Sequence, residues 1–373
     1  MGPFPHDAPA ARITPDNPAG TDGFGFVEYA HPEPRVLHAL FTTMGFSAVA
    51  RHRRRAITLY RQGDVNYLLN EAPDSHARRF ADAHGPCASA MAFRVVDAAQ
   101  AYHRAVELGA EPAEAAEGEF TLAVPAIKGI GGSRLYFLDR YGAKGSAFDP
   151  EFEWLGAADP NPDGAGLYYL DHLTHNVGRG RMDIWSAFYQ RIFNFRQIHY
   201  FDIKGEYTGL FSRALTSPDG KIRIPINESA DAKSQIEEYL TQYGGEGIQH
   251  MACGCRDIYA TVEALRARGL AFMPSPPDTY YEGIDARVPG HGEDLARLRR
   301  NGILLDGEAA VAPGEKAGRM TKVLLQIFSA NAIGPIFFEF IQRKGDEGFG
   351  EGNFRALFLS IEEDQRRRGV LGT

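Results

Sequence analysis

Four segments of the chain repeat one order of elements: a short strand, an amphipathic helix that stops at a residue suited to positive φ, and then further strands. A unit this small cannot bury its apolar faces alone, so the repeat requires the copies to pack on one another. The first unit opens with Phe24-Gly-Phe-Val-Glu-Tyr-Ala30, places Val36, Leu40 and Met44 at a spacing of four, and turns at Gly45. The second opens near residues 88–95, takes Asp97 as helix N-cap, stops its helix at Gly109 and closes with Arg134-Leu-Tyr-Phe-Leu138. The third opens at residues 169–177, runs a helix through Ile184, Phe188 and Ile192, and turns at Asn194. The fourth opens with Gly247-Ile-Gln-His-Met-Ala252, caps with Asp257, places Ile258, Val262 and Leu265 on one face and stops at Gly269. Its later strands are residues 323–328 and 336–341. Gly, Gly, Asn and Gly at the four helix ends are what a tight helix-to-strand reversal requires, since a β-carbon resists positive φ.

The units fall into two pairs, separated by a turn-rich stretch containing Asp-Pro-Asn-Pro-Asp-Gly. An α+β chain of two homologous domains is expected: a flexible arm over residues 1–22, one domain over 23–150, a linker over 151–166 and a second domain over 167–373. At 373 residues each half is long enough to bury a core. A net charge of -8 argues against a nucleic-acid binder, and the basic run 51–55 reads as a solvated strand edge. Three cysteines without zinc-ligand spacing suggest a reducing cytoplasm. No apolar run approaches a membrane span, and the start lacks a signal-peptide pattern, so no membrane association is expected.

Comparing equivalent positions in the two halves isolates the chemistry. The third unit offers His172 where the first has Glu28, the fourth offers His250 where the second has Ala90, and Glu339 stands opposite Tyr136. Two imidazoles and one carboxylate on three strands of a curved sheet would occupy one face of a metal and leave the rest open, the ligand set of non-heme Fe(II) oxygenases. Each residue alone is more often a satisfied core group. Glu339 shifts the balance, because an ionised carboxylate inside an aromatic and aliphatic strand needs a compensating cation. On these grounds iron, manganese, zinc and nickel all remain open.

The motifs Leu170-Asp-His-Leu-Thr-His-Asn-Val177, Pro225-Ile-Asn-Glu228, Gly245-Glu-Gly-Ile-Gln-His250, Pro277-Asp-Thr-Tyr-Tyr281, Leu325-Gln-Ile-Phe328, Phe337-Phe-Glu-Phe-Ile-Gln-Arg-Lys344 and Gly348-Phe-Gly-Glu-Gly-Asn-Phe354 resemble the signature set of the 4-hydroxyphenylpyruvate dioxygenase family. They recur in order over the C-terminal half, and Gly23-Phe-Gly-Phe-Val-Glu-Tyr29 resembles that family's start. The resemblance implies the vicinal-oxygen-chelate (glyoxalase-like) fold, with paired βαβββ units forming an open barrel in each domain and Fe(II) held in the second by His172, His250 and Glu339. It also implies a substrate pocket of Ser212, Asn227, Gln235, Gln249, Gln326, Phe328, Phe337, Phe349, Asn353 and Phe354, in which Gln235, Gln249 and Gln326 act on the substrate directly. The implied reaction takes 4-hydroxyphenylpyruvate and O2 to homogentisate and CO2 by oxidative decarboxylation, ring hydroxylation and side-chain migration, in a homo-oligomeric enzyme.

4-Hydroxymandelate synthase, which oxidises the benzylic carbon instead, is the nearest alternative; Pro225 and Phe354 resemble the ring-hydroxylating side of that division. An extradiol dioxygenase, or a binding protein that sequesters an aromatic ligand, lies further off. His175, three positions along the strand from His172, should face away from the metal, as should Cys253 and Cys255 relative to His250. The glycines at 345, 348, 350 and 352 precede an amphipathic helix carrying Phe354, Leu357, Phe358 and Ile361, which reads as a lid.

Overall fold

The computed structural model describes residues 8–114, 120–156, 159–204, 209–308, 321–350, 352, 353, 366 and 369. Its strands form two eight-stranded sheets, each curled into an open half-barrel. The first contains β1 (Thr21–Ala30), β2 (Ser47–His52), β3 (Ile57–Gln62), β4 (Val65–Asn70), β5 (Cys87–Val95), β6 (Ala126–Lys128), β7 (Arg134–Leu138) and β8 (Phe152–Trp154). The second contains β9 (Leu167–Val177), β10 (Arg196–Lys204), β11 (Gly209–Thr216), β12 (Arg223–Ser229), β13 (Gly247–Cys255), β14 (Leu304–Glu308), β15 (Lys322–Phe328) and β16 (Phe337–Lys344). The orders β8-β2-β3-β4-β1-β5-β7-β6 and β10-β11-β12-β9-β13-β16-β15-β14 place β9 with β1, β13 with β5 and β16 with β7. At each centre two unit-opening strands run antiparallel, β1 against β5 and β9 against β13. Each is flanked by its own unit's closing strand in parallel.

The unit helices α1 (Pro34–Thr43), α3 (Ala98–Glu107), α4 (Met182–Phe193) and α6 (Ile258–Ala267) end as the sequence requires. Asn194 has φ 57°, the one positive value outside glycine among the described residues, and Gly45, Gly109 and Gly269 have φ 88°, 85° and 91°. Asp97 and Asp257 cap their helices, accepting from the backbone N–H groups of Gln100 and of Tyr259 and Ala260. The buried face of α6 is the expected one, but two other faces differ. Val36 and Ile184 are exposed, while Leu37 and Phe41 of α1, and Met182, Tyr189 and Ile192 of α4, turn inward. A stripe taken only at i and i+4 drifts around the helix by about 40° per step, so its first member leaves the buried face.

Two further segments depart from expectation. Asn17 and Ala19, in the expected arm, are buried, and Asn17 exchanges side-chain hydrogen bonds with Thr21. Residues 152–154, in the expected linker, pair with β2 as an edge strand. The second half also carries α5 (Gln235–Tyr243) and the short helices α7 (Asp278–Glu282), α8 (Ile284–Arg287) and α9 (Leu295–Asn301); α2 (His76–His84) belongs to the first. One apolar core runs between the sheets, joining Tyr67, Met91 and Phe137 to Met251 and Phe338. Among the described residues no helix is long and apolar enough to cross a membrane.

Candidate metal centre

Three adjacent strands bring His172, His250 and Glu339 together. Ala252 on β13 pairs on one side with His172 of β9 and on the other with Glu339 of β16. His250, two residues earlier on β13, shares a face with Ala252. The small methyl of Ala252 leaves the three longer side chains room to converge above it. Glu339 Oε2 lies 3.1 Å from His172 Nε2 and 3.5 Å from His250 Nε2. One ligand atom from each of the three lies within 4.8 Å of the others, and this is the one such cluster among the described residues.

A second layer fixes these groups. His172 Nδ1 lies 2.9 Å from Asp171 Oδ1, which favours the proton on Nδ1 and turns the Nε2 lone pair toward Glu339. Asp171 in turn accepts two bonds from Arg343, at 2.7 and 2.8 Å, and one from the Tyr169 hydroxyl at 2.8 Å. Burial opposes charge on Asp171, but the Arg343 guanidinium outweighs it and holds the carboxyl well below the usual range. Gln249 Oε1 lies 3.1 Å from His250 Nδ1, and Gln326 donates to Glu339 Oε1 at 2.8 Å. Burial likewise opposes charge on Glu339, yet the adjacent imidazoles, His172 first, bring its carboxyl down to about 2. An ionised carboxylate between two imidazole nitrogens attracts a cation; two nitrogens, one oxygen and an open side fit a divalent transition metal.

The expected substrate residues divide into groups. Gln326, Phe328 and Phe349 line a small enclosed space with the three convergent residues, Thr174 and Pro225; about 10 Å3 is free there, room for little more than a water molecule. Phe349 stands edge-on to His172 at 5.5 Å between ring centroids. Phe337 stacks on His250 at 4.7 Å and, with Gln249 and Gln235, borders a larger cavity of about 440 Å3. Asn353 donates to Gln326 Oε1 at 2.8 Å and accepts from the Tyr280 hydroxyl at 2.6 Å. Ser212 and Asn227 are cross-strand neighbours, and Ser212 Oγ, Asn227 Oδ1 and Thr174 Oγ1 are buried without a protein partner. Phe354 and the expected lid helix lie outside the described residues. The chain leading toward that helix is tied down: Arg343 donates to the carbonyls of Asp346 and Gly348, and Gly352 N–H donates to Asp306.

His175 faces away from the cluster and bonds Tyr189 at 2.8 Å. The equivalence of His172 with Glu28 needs correction. Phe24 pairs with Phe93 and Val27 with Met91 across a bulge, which sets Gly25 and Phe26 together against Ala92; Ala92 also pairs with Tyr136, as Ala252 pairs with Glu339. Phe26 is thus the counterpart of His172, and Glu28 that of Thr174. β9 carries the matching bulge between His172 and Leu170, so the two opening strands correspond residue for residue, and the equivalence with Glu28 is displaced by two residues. Sequence reading also missed Asp171 and Arg343 as a pair, although a charged residue inside an apolar strand at each position was the available signal.

A family model described as hydroxyphenylpyruvate dioxygenase, N-terminal, matches residues 15–153, and one for the glyoxalase/bleomycin resistance protein/dioxygenase superfamily matches residues 169–291. The chain is 55% identical over 359 residues to a 4-hydroxyphenylpyruvate dioxygenase of Pseudomonas sp. (strain P.J. 874), covering 96% of this chain and 99% of that one. It is 56% identical over 360 residues to hemolysin VllY of Vibrio vulnificus (strain CMCP6), covering 95% and 98%. A solved xylose isomerase-like TIM barrel/4-hydroxyphenylpyruvate dioxygenase fusion protein superposes with TM-score 0.78 at 29% identity, over 95% of this chain and 53% of the fusion. By sequence, fold and the residues its central strands bring together, the chain belongs to the 4-hydroxyphenylpyruvate dioxygenase family.

Proposed function

We propose that the protein is an Fe(II)-dependent dioxygenase that converts 4-hydroxyphenylpyruvate and O2 to homogentisate and CO2, in a reducing cytoplasm. The observation that carries this reading is the convergence of His172, His250 and Glu339, buttressed by Asp171, Gln249 and Gln326, in a chain 55% identical to a relative of that name. The bound metal would supply chelation of the 2-oxo acid and activation of dioxygen at its open positions. The protein's part is to hold, orient and exclude water.

Asp171 and Gln249 keep both imidazoles turned with Nε2 inward, and Gln326 holds the carboxylate of Glu339 in place. The unpartnered Ser212 Oγ and Asn227 Oδ1, with the Gln235 and Gln249 amides, supply neutral hydrogen bonds for the polar ends of the substrate. Phe328 and Phe337, edge-to-face at 6.2 Å, would hold the aromatic ring. The free space beside the ligands is too small for this substrate, so Phe337 or Phe349 must swing aside to join it to the larger cavity. Phe349 would then return as the wall that keeps bulk water from the reacting atoms.

The deciding experiment is product analysis from purified, iron-loaded protein supplied with 4-hydroxyphenylpyruvate and O2. Homogentisate is the expected product. Hydroxymandelate would transfer the assignment to benzylic oxidation, and binding without turnover would make the chain a ligand-sequestering member of the fold.

A further inference from the structure

A line of one thiol and two phenols, bridged by phenylalanine rings, leads from the strands of the candidate metal centre into the other half of the molecule, and nothing in the proposed reaction uses it. Cys253 follows Ala252, the residue that pairs with both His172 and Glu339, and Phe338 immediately precedes Glu339. The Tyr67 hydroxyl, from the first sheet, lies 3.2 Å from Cys253 Sγ, and the Tyr67 ring lies 6.1 Å from that of Phe338. Cys253, expected to face away from the metal, thus forms a polar contact between the halves. From Tyr67 the aromatic contacts continue to Phe41 at 5.3 Å and from Phe41 to Tyr60 at 5.3 Å.

The line ends in a group suited to losing an electron and a proton together. Tyr60 hydroxyl and His38 Nδ1 are 2.5 Å apart, and His38 Nε2 is 3.2 Å from Glu71 Oε2. A single neutral tautomer satisfies both contacts, with Nε2–H donating to Glu71 and Nδ1 accepting from the phenol. Removing an electron from a phenol makes its proton strongly acidic. An imidazole already hydrogen-bonded to it, with a carboxylate behind, can take that proton without movement of either ring. Tyr29, a ring neighbour of Tyr67 at 5.0 Å, has no imidazole beside its buried hydroxyl and so lacks this provision. The His38 and Glu71 side chains are 35% and 28% exposed, so solutes can reach the end of the line.

We propose that Cys253, Tyr67, Phe41 and Tyr60 form an electron-donor path that discharges the metal site when dioxygen activation fails to oxidise substrate, with the Tyr60–His38–Glu71 triad as its terminal donor. This rests on the dioxygenase reading above. Tyr60 would give up one electron, which an oxidised metal held by His172, His250 and Glu339 would accept, and its phenol proton would move to His38 Nδ1. A soluble one-electron reductant of the ascorbate or thiol class then returns the electron to Tyr60, and the imidazolium returns the proton. The benefit is that the oxidising equivalent leaves before it attacks Phe337 or Phe349, the rings packed on His250 and His172.

The test uses the full iron-loaded protein under turnover with 4-hydroxyphenylpyruvate and O2, as wild type, Tyr67→Phe, Tyr60→Phe and His38→Gln. Freeze-quench electron paramagnetic resonance, peptide mapping of oxidised residues and homogentisate yield are read from the same samples. Wild type should show a tyrosyl signal that Tyr60→Phe and Tyr67→Phe abolish or relocate and His38→Gln weakens. The two phenylalanine variants, which keep their rings, should begin turnover at the wild-type rate but gain several-fold more oxidation at Phe337 and Phe349 per turnover. Homogentisate formation with no tyrosyl signal, and with equal damage in wild type and Tyr67→Phe, would overturn the path while leaving the dioxygenase reading intact. Failure to form homogentisate in wild type would remove both.

Discussion

The two halves share a strand order and a central antiparallel pair, yet they fill equivalent positions with opposite chemistry. Where the second half holds His172, His250 and Glu339, the first holds Phe26, Ala90 and Tyr136, and the Phe26 and Tyr136 rings pack at 5.5 Å. These join Leu59, Leu138 and Phe148 in a separate apolar cluster that closes the first half-barrel. The same scaffold thus yields a hydrophobic plug or a cation-attracting cluster according to three side chains and the layer behind them. That second layer differs as much as the first. Asp171, gripped by Arg343, corresponds to Gly25, whose added Cβ would lie 2.6 Å from Leu138. The first half has no room for a buttress where the second has its strongest one.

Removing a metal-facing group should have the largest effect. Glu339→Ala, His172→Ala and His250→Ala should each abolish stoichiometric metal binding and lower turnover by orders of magnitude while keeping the fold, because the core between the sheets does not run through these side chains. Metal analysis alongside circular dichroism checks this. The converse graft, Phe26→His with Ala90→His and Tyr136→Glu, should bind no metal and should destabilise the first half. Tight metal binding by that graft would show that three residues suffice and that the second layer is dispensable.

The layer itself is tested by Asp171→Asn. Loss of the group orienting a ligand histidine typically weakens metal affinity about 10–100-fold. Here the substitution also leaves the buried Arg343 guanidinium uncompensated, for a stability loss of roughly 3–5 kcal/mol. Metal titration and urea denaturation separate the two losses. Unchanged affinity in Asp171→Asn would mean that the strands alone aim His172. A smaller effect is expected from Asn353→Ala, which cuts the line from Tyr280 to Gln326: about 1 kcal/mol for the lost hydrogen bond, read as a several-fold fall in kcat with metal content unchanged.

The contrast between the halves was legible in the sequence at two of its three positions. Ala90 and Tyr136 were matched correctly to His250 and Glu339, because β5 with β7 and β13 with β16 pair in register without interruption. Phe26 was missed because a slip of two residues keeps a strand's alternation and so leaves no periodic sign; the bulges of β1 and β9 fall at equivalent places and do not shift one strand against the other. The helix stops were legible because positive φ limits residue choice at a single position. The buried faces of α1 and α4 were less so, since neighbouring stripes of those helices are almost equally apolar. Gln235, Ser212 and Asn227 could be named only through family resemblance, as glutamine, serine and asparagine at isolated positions carry no periodic signal. The grip of Arg343 on Asp171 joins residues 172 positions apart, a distance at which local pattern is silent.

His175 gives the smallest effect and the finest test of the strand phase that separates cluster from core. It is buried on the face opposite His172, and its Nε2 bonds the Tyr189 hydroxyl. His175→Gln should leave metal content and turnover unchanged and cost about 1 kcal/mol near neutral pH. Loss of metal in this variant, with metal retained in His172→Ala, would invert the ligand assignment. Its pH dependence is more diagnostic. Burial drives the His175 imidazole down to about 3, whereas in the unfolded chain it titrates near 6.5. Between those values the unfolded state binds a proton that the folded state refuses, so stability falls as pH falls through that window. At pH 5 the loss from this group is about 2 kcal/mol. Glutamine does not titrate, so wild type should be the more stable at pH 7.5 and the difference should shrink and reverse as pH approaches 5, measured as denaturation midpoints. Parallel curves for the two proteins would mean that His175 takes up its proton without unfolding.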